Sequence, residues 1–289
     1  MVGYGLKPLR MIATEVESRD PASLRRIEAK RLPSEVAPLV RSLKDLLGRL
    51  DRALKSERGF IADASHELRT PVTALRLQVG LIETASTAQE RDESIQDLKR
   101  GVERMQRLIE QILTLARLDP ERTEQVSLID IAALLRDIHK DYTRIATAKS
   151  ISFSVSTEDQ VIVGGDLASL TALIRNILDN AIRYTPAGGV VTLRVNNQHA
   201  TPEIRIIDSG PGIPMDIREK VFSRFYRADF ASDNTGTGLG LAIAKLAAER
   251  LGASVQLEDG PGGTGLTVLI SFPIRGNHTQ ALSAEEVTK

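Results

Sequence analysis

The residues best suited to chemistry in the first half of the chain are His66, Glu67 and Thr70. Thr70 follows His66 by four positions, so both side chains share one face if the segment is helical. An imidazole beside a carboxylate, with a hydroxyl one turn away, can act as a nucleophile with a polarising partner. Pro71 predicts a kink, because proline has no N–H group to donate. Taken alone, however, these residues also fit an ordinary surface histidine on a helix.

A second group of polar residues lies in a helical pattern over residues 167–184. Asn176, Asn180 and the Arg183-Tyr184 pair recur on one face, whereas apolar residues line another face. Two amides and a guanidinium along a helix edge can meet a hydrated Mg²⁺ and its phosphates, because Mg²⁺ takes oxygen ligands and keeps several waters. The same stripe also fits a solvated helix face.

Two glycine motifs follow. Asp208-Ser-Gly210-Pro-Gly212 comes after a β-rich run. Its carboxylate can accept a hydrogen bond from an exocyclic amine such as that of adenine, and the glycines let backbone approach a ring closely. Gly236-Thr237-Gly238-Leu239-Gly240 opens a helix, where bare N–H groups and the helix dipole favour phosphate. This spacing is neither a Walker A loop nor a dinucleotide fingerprint, and D-x-G-x-G is also a common turn.

Composition excludes several classes of function. Lys and Arg together equal Asp and Glu at 38 each, so no basic excess points to nucleic acid or anionic lipid. Aromatic residues make up 3% and tryptophan is absent, which disfavours a base-stacking platform. The absence of cysteine excludes disulfides and thiolate metal sites. No apolar run reaches the roughly 18 residues of a membrane span.

The first half of the sequence predicts helices with a coiled-coil period. Apolar residues spaced by three and four continue from Val36 through Leu54 to Leu68. The polar residues 84–94 predict a hairpin turn, and a second helix then runs to about Arg117. Because one hairpin cannot bury both apolar seams, two copies in a four-helix bundle are expected. The second seam comprises Ile95, Leu98, Val102, Met105, Ile109, Ile112 and Ala116.

Beyond the linker at residues 119–122, short β-rich runs alternate with helical runs. This order predicts an α/β sandwich with helices on one face of a mixed sheet. The predicted helices are Ile131–Tyr142, Leu167–Tyr184, Met215–Phe222 and Leu239–Leu251. The predicted strands are 150–156, 161–163, 190–195, 203–207, 254–258 and 266–272. The residues between Phe222 and Gly236 predict a lid over the second glycine motif.

Two resemblances join these observations. The run SHELRTP at residues 65–71, preceded by FIADA, resembles the H-box of two-component sensor histidine kinases. The ordered set of asparagine, D-x-G-x-G, F-x-x-F and G-x-G-x-G over residues 126–274 resembles the ATP-binding domain shared by histidine kinases, gyrase-type topoisomerases, Hsp90-type chaperones and MutL-type repair proteins. Val72 stands where leucine is commoner, and Arg183 stands where lysine is commoner. None of the expected motif positions is lost.

The resemblance implies a domain order. Residues 1–55 resemble a HAMP linker, with a generic helical hairpin as the alternative. Residues 56–119 would be the dimerisation and histidine phosphotransfer domain, and residues 126–274 the GHKL-type catalytic domain. Residues 275–289 are expected to be a disordered tail. Kinases of this kind are usually anchored by transmembrane helices, so the chain would be the cytoplasmic portion of an inner-membrane receptor, joined to the membrane through segments it lacks.

The resemblance also implies a role for each motif residue. His66 would accept a phosphoryl group from ATP, with Glu67 hydrogen-bonding its other nitrogen and Thr70 serving a phosphatase reaction. Asn180 would hold Mg²⁺, supported by Asn176, and the other residues would bind ATP. The implied nucleotide-binding residues are Asn176, Asn180, Arg183, Tyr184, Asp208, Gly210, Gly212, Arg227, Gly236, Thr237, Gly238, Leu239, Gly240 and Thr264.

Three functions remain open. The first is an ATP-dependent protein-histidine kinase that passes its phosphoryl group to an aspartate on a response-regulator receiver domain. The second is an ATP-regulated dimeric scaffold that acts chiefly as a phosphatase on that partner. The third is an ATP-driven clamp of the chaperone or topoisomerase kind, which the H-box and the coiled-coil seam disfavour.

Overall fold

The computed structural model describes residues 37–118, 127–157, 161–198, 201–227 and 236–273. The chain divides into two compact units, residues 1–66 and residues 67–289. Four predicted features fall on residues outside the described ranges: the first part of the HAMP-like segment, the interdomain linker, most of the lid, and the tail.

Two helices account for the first half of the described chain. Helix α1 spans Ala37–Thr84 and includes Pro71 within a single helical element. Helix α2 spans Ala88–Arg117 and ends where the sequence predicted. The first unit contains the part of α1 up to His66, and the second unit contains the rest of α1 and all of α2.

The hairpin turn is shorter than predicted, so the assignment of residues 84–94 to a turn was wrong. Helix α2 begins at Ala88 because Thr87 and Glu90 form a capping box. The Thr87 hydroxyl accepts the Glu90 N–H at 3.1 Å, and the Glu90 carboxylate accepts the Thr87 N–H at 3.3 Å. This exchange satisfies two N–H groups that a helix start leaves without partners, so a polar stretch that reads as a loop is helical.

The second half of the chain is the predicted α/β sandwich. Its strands are β1 (Ser127–Asp130), β2 (Ser152–Thr157), β3 (Ile162–Gly165), β4 (Val190–Gln198), β5 (Thr201–Asp208), β6 (Ser254–Asp259) and β7 (Leu266–Ser271). The main sheet has five strands in the order β2-β4-β5-β7-β6, in which β2 and β4 are parallel and the other neighbours are antiparallel. A separate pair, β1 and β3, is antiparallel.

Three helices accompany this sheet: α3 (Ile131–Ala148), α4 (Leu167–Tyr184) and α5 (Gly240–Arg250). Helix α4 has the predicted bounds, because Asp166 caps its first turn by accepting the N–H groups of Ala168 and Ser169. Strand β1 was not predicted, since four residues with only Ile129 buried carry little pattern.

The predicted helix over Met215–Phe222 was wrong, since the structure has two short 3₁₀ turns there, Met215–Ile217 and Lys220–Phe222. Tertiary contacts hold this segment. The Arg218 guanidinium donates to the carbonyls of Ile213 (3.0 Å) and Leu257 (3.2 Å) and pairs with Asp259. These bonds fasten the segment to β6, so local helical periodicity does not decide its conformation.

The buried face of α4 fixes how the helix is rotated on its axis. Full burial of one Leu or Ile side chain contributes about 1.5–3 kcal/mol, so several together outweigh any local preference of the polar edge. The polar edge is thereby turned away from the core. The fully buried large side chains of α4 are Leu170, Leu173, Ile174, Ile177 and Leu178.

Candidate functional site

A large open cavity of about 1460 Å³ collects most of the predicted nucleotide-binding residues. Helices α2, α3 and α4 contribute to its walls, together with the residues after β5, the second glycine motif and strand β7. Basic side chains outnumber acidic ones in the lining, which favours an anionic ligand. The basic residues are Arg104, Arg107, Arg117, Lys149, Arg175, Arg183, Arg227 and Arg250, and the acidic ones are Glu110, Asp141, Asp166, Asp179 and Asp208.

The polar edge of α4 faces the start of α5. A Cβ atom added to Gly240 would lie 3.2 Å from Asn180 Nδ2, 3.4 Å from Asn180 Oδ1 and 3.6 Å from Asn176 Oδ1. The Asn176 amide nitrogen donates to the Ala172 carbonyl at 2.8 Å, which fixes the orientation of the amide. Two amide oxygens therefore lie near one helix start, an arrangement that suits a hydrated Mg²⁺ carried by phosphates.

The N-terminus of α5 has the properties of a phosphate site. The side chain of its N-cap residue, Leu239, makes no capping hydrogen bond. Its first turn therefore presents backbone N–H groups and the positive end of the helix dipole. The loop also approaches the end of α4 closely, because a Cβ on Gly236 would lie 3.3 Å from both Arg183 Nη1 and the Tyr184 hydroxyl. A guanidinium, a phenol and helix N–H groups thus meet at one end of the cavity.

Asp208 is the last residue of β5 and is 7% exposed. Its Oδ1 accepts the Gly210 N–H at 2.8 Å, so the first glycine motif fixes the carboxylate. Burial raises the pKa of Asp208, and the backbone hydrogen bonds from Gly210 and Leu266 oppose that rise. A buried carboxylate at a cavity wall is a directional acceptor for a ligand amine.

A further hydrogen-bonded pair, the buried Tyr142 and the exposed Asp179, lies beside Asn180. The Tyr142 hydroxyl of α3 donates to Asp179 Oδ1 at 2.7 Å and lies 3.2 Å from the Arg175 carbonyl. Burial raises the pKa of Tyr142 far above its usual range and also raises the pKa of Asp179, whereas the hydrogen bond and nearby arginines lower the latter. This pair ties α3 to α4 beside the amides.

The cavity wall includes eleven of the fourteen predicted nucleotide-binding residues and leaves out three. Gly210 is buried behind Asp208, Leu239 is fully buried in the core, and Thr264 is exposed in a turn. The lining residues among those predicted are Asn176, Asn180, Arg183, Tyr184, Asp208, Gly212, Arg227, Gly236, Thr237, Gly238 and Gly240.

The candidate phosphoacceptor and its neighbours lie on α1. His66 and Thr70 are exposed, and Glu67 is half-buried. No hydrogen bond or ion pair joins His66 to Glu67 within the described ranges, because adjacent helical residues point about 100° apart. Thr73 donates its hydroxyl to the Arg69 carbonyl at 3.0 Å, whereas the Thr70 hydroxyl has no such bond to any described residue.

Sequence reasoning missed the contribution of α2 to the cavity. Arg107 and Gln111 line the wall from a helix assigned to dimerisation, and Thr237 donates its hydroxyl to Gln111 Oε1 at 2.6 Å. The two residues of this bond are 126 positions apart in the chain. No local pattern signals a contact over that separation.

Three family models match the chain. Residues 165–276 match the histidine kinase-, DNA gyrase B- and HSP90-like ATPase, and residues 56–121 match the His kinase A phospho-acceptor domain. Residues 6–52 match the HAMP domain of PhoQ-like sensor proteins. The sensor protein kinase PmrB of Pseudomonas aeruginosa is 38% identical over 273 residues, which cover 94% of this chain and 57% of PmrB.

Two solved structures share the fold. The full-length ShkA structure in complex with AMPPNP is 27% identical, with a TM-score of 0.54 over 73% of this chain and 45% of ShkA. The histidine kinase ThkA, solved in complex with the response regulator protein TrrA, is 18% identical and has a TM-score of 0.64 over 78% of this chain and 64% of ThkA. At 18% identity, the ThkA match bears on the fold alone.

The fold and the cavity define a phospho-acceptor helical hairpin followed by a GHKL-type ATPase domain. The chain belongs to the two-component sensor histidine kinases. It spans about three fifths of the length of the curated relatives it matches. Across the described helices, none is both long enough and apolar enough to cross a bilayer.

Proposed function

We propose that this chain is an ATP-dependent protein-histidine kinase that phosphorylates His66 and passes the phosphoryl group to an aspartate of a response regulator. The observation that carries the proposal is the convergence of two amides, a helix N-terminus and a buried carboxylate in one cavity. The same chain carries His66, an exposed histidine within the H-box sequence. The proposal therefore has a site for the phosphoryl donor, ATP, and a residue to accept the phosphoryl group. The HAMP match supports a place in a membrane receptor.

In this proposal each wall of the cavity binds one part of Mg-ATP. Asp208 accepts a hydrogen bond from the exocyclic amine of adenine, and Arg183 with Tyr184 contacts the phosphates and the nucleoside. Asn180, supported by Asn176, would hold Mg²⁺, which would supply positive charge beside the transferring group. The first-turn N–H groups of α5 bind phosphate oxygens, and Arg227 reaches the terminal phosphate from the lid side.

The reaction is an in-line displacement at phosphorus. An imidazole nitrogen of His66 forms the new N–P bond as the bond to the bridging oxygen breaks, and ADP leaves with the electron pair. Glu67 accepts a hydrogen bond from the other nitrogen, which fixes the tautomer and raises nucleophilicity. Because the two side chains are not bonded in the described structure, this role requires a change of rotamer. The exposed position of His66 suits attack on a nucleotide and later attack by a regulator aspartate.

A homodimer follows from the apolar surface of the two long helices. Several large apolar side chains on α1 and α2 are 42–66% exposed in the single chain. A four-helix bundle built from two hairpins would cover such side chains. They include Leu50, Ile61, Val72, Leu77, Leu81, Val102, Ile109 and Leu113.

A second activity, dephosphorylation of the same regulator, is favoured by the side chain of Thr70. Its hydroxyl is exposed, and no hydrogen bond joins it to a described residue, so it is accessible to a docking partner. A hydroxyl one turn from His66 can orient a water in line with an aspartyl phosphate when the regulator docks on that face. The release of inorganic phosphate from a phosphorylated regulator measures this activity.

Incubation with γ-labelled ATP tests the kinase proposal. The unaltered chain should take up an acid-labile, base-stable label, because a phosphoramidate hydrolyses in acid and a phosphate ester does not. His66→Gln should abolish the label while ADP binding persists. His139→Gln is a matched control, since His139 is exposed on α3 and stacks on Phe153 at 5.7 Å. A label retained in His66→Gln, or an acid-stable label, would contradict the proposal and favour another acceptor. Absence of any label from the unaltered chain would favour the scaffold or the ATP-driven clamp.

A further inference from the structure

The last turns of α2 lie along α5 within the second unit. Gln111, Leu115 and Leu118 recur at i, i+4 and i+7, so they form one stripe of α2 and its C-cap. Leu115 is 4% exposed and Leu118 is 5% exposed, whereas Gln111 is half-buried. We call the region where this stripe of α2 lies along α5 the α2–α5 contact.

One hydrogen bond lies at each end of the α2–α5 contact. At one end, the Thr237 hydroxyl just before α5 donates to Gln111 Oε1 at 2.6 Å. At the other end, Arg250 Nη1, in the last turn of α5, donates to the Arg117 carbonyl at 3.2 Å. Thr237 lies just before α5 and Arg250 lies in its last turn, so the two bonds together set the direction of α5 relative to α2.

The bond to Gln111 occupies groups that phosphate would need. A threonine hydroxyl has one hydrogen, and the Thr237 hydroxyl donates it to Gln111. The same oxygen accepts the Leu239 N–H at 3.3 Å. The hydroxyl and an N–H group at the start of α5 are therefore both engaged within the protein. A phosphate oxygen can accept from either group only after the bond to Gln111 or the bond to Leu239 is broken.

We propose that Gln111 is a positioning residue that acts through Thr237: it holds the second glycine motif, Gly236–Gly240, in an arrangement that competes with ATP. The inference rests on the proposed function, because it takes ATP as the ligand of the loop. Binding of the triphosphate frees Thr237 from Gln111, and formation of the α2–α5 contact lowers the affinity for ATP. Gln111 has no titratable group, so protonation of its side chain plays no part in this competition.

The test is Mg-ATP binding and the ATP dependence of His66 labelling in Gln111→Leu. Leucine keeps the size of the side chain but has no acceptor for the Thr237 hydroxyl. Loss of one hydrogen bond corresponds to an affinity about three- to tenfold higher. The Kd and KM for ATP should fall by that factor while kcat changes little. Gln106→Leu makes the same exchange on the same helix, at an exposed residue outside the cavity, and should leave both constants unchanged.

A second comparison separates competition from a general loosening of the helix. In a Thr237→Val background the donor is already lost, so adding Gln111→Leu should change the Kd for ATP by less than about twofold. An unchanged or higher Kd in Gln111→Leu alone would overturn the inference, as would an equal gain of affinity in the Thr237→Val background. Those outcomes leave the kinase proposal standing if the unaltered chain still labels His66. Failure of the unaltered chain to bind ATP would contradict the proposed function itself.

Discussion

Gly238 holds the second glycine motif against the backbone of Phe225 and Tyr226, and its replacement by alanine should separate binding from folding. Gly238 has φ +70°, and a Cβ there would lie 2.6 Å from the Phe225 carbonyl carbon and 2.8 Å from the Tyr226 oxygen. Carbon atoms normally pack at about 3.5–4.0 Å, so the loop or the Phe225 backbone must move by about 1 Å. Phe225 has φ +61°, which leaves this backbone little freedom to adjust.

A movement of that size lengthens hydrogen bonds from the loop to phosphate beyond their range of about 2.7–3.2 Å. Hydrogen bonds to charged groups contribute about 1.5–3 kcal/mol each, so loss of one or two should cost roughly 2–3 kcal/mol. At about 1.4 kcal/mol per factor of ten, we expect the Kd for Mg-ATP to rise roughly thirty- to hundredfold in Gly238→Ala. Isothermal titration calorimetry measures the Kd, and urea unfolding measures the free energy of unfolding.

Gly188→Ala is the matched control. Gly188 has φ +83°, lies outside the cavity wall, and a Cβ there would have no atom within 4 Å. Both variants should lose about 1 kcal/mol of folding free energy from the left-handed conformation, but only Gly238→Ala should lose affinity. If Gly238→Ala binds ATP within threefold of Gly188→Ala, the close approach of Phe225 does not position the loop, and the reasoning fails.

Two further predictions concern single polar side chains. Protonation removes the carboxylate acceptor of Asp208, and burial raises its pKa, so ADP affinity should fall on acidification while an exposed aspartate is still ionised. Binding isotherms from neutral to mildly acidic pH should show this loss of affinity, and Asp208→Asn should abolish the pH dependence. If the affinity of Asp208→Asn still falls on acidification, another group is responsible for the fall. Thr70→Ala should keep most His66 labelling but lose phosphatase activity toward the phosphorylated regulator, whereas Thr73→Ala, whose hydroxyl serves the Arg69 carbonyl, should lose neither. Equal loss of both activities in Thr70→Ala would mean that Thr70 acts only through local structure.

The elements around the cavity were predictable where local chemistry decides them. Both ends of helix α4 are as predicted, because a capping aspartate and a periodic run of apolar residues define the helix from local sequence. Asn180, Asp208 and the glycines Gly236, Gly238 and Gly240 line one cavity, and only the resemblance supplied the topology that joins such distant residues. The helix predicted at Met215–Phe222 failed because Arg218 ties that segment to β6 through bonds that no window of sequence contains.

Helix α2 shows where periodicity stops being informative. Leu108 and Leu115 are 5% and 4% exposed, whereas Val102 and Ile109 are each 42% exposed. Each pair is spaced by seven residues, so each satisfies a coiled-coil repeat, and the two stripes differ by about 100° around the helix. The predicted seam contained Val102 and Ile109, so it followed the stripe that the single chain leaves exposed. The buried stripe, continued by Gln111 toward Leu118, instead serves contacts within the chain, including the one to α5. Both stripes are apolar for a physical reason, but only the packing of the folded chain separates the exposed stripe from the stripe that lies beside the second glycine motif.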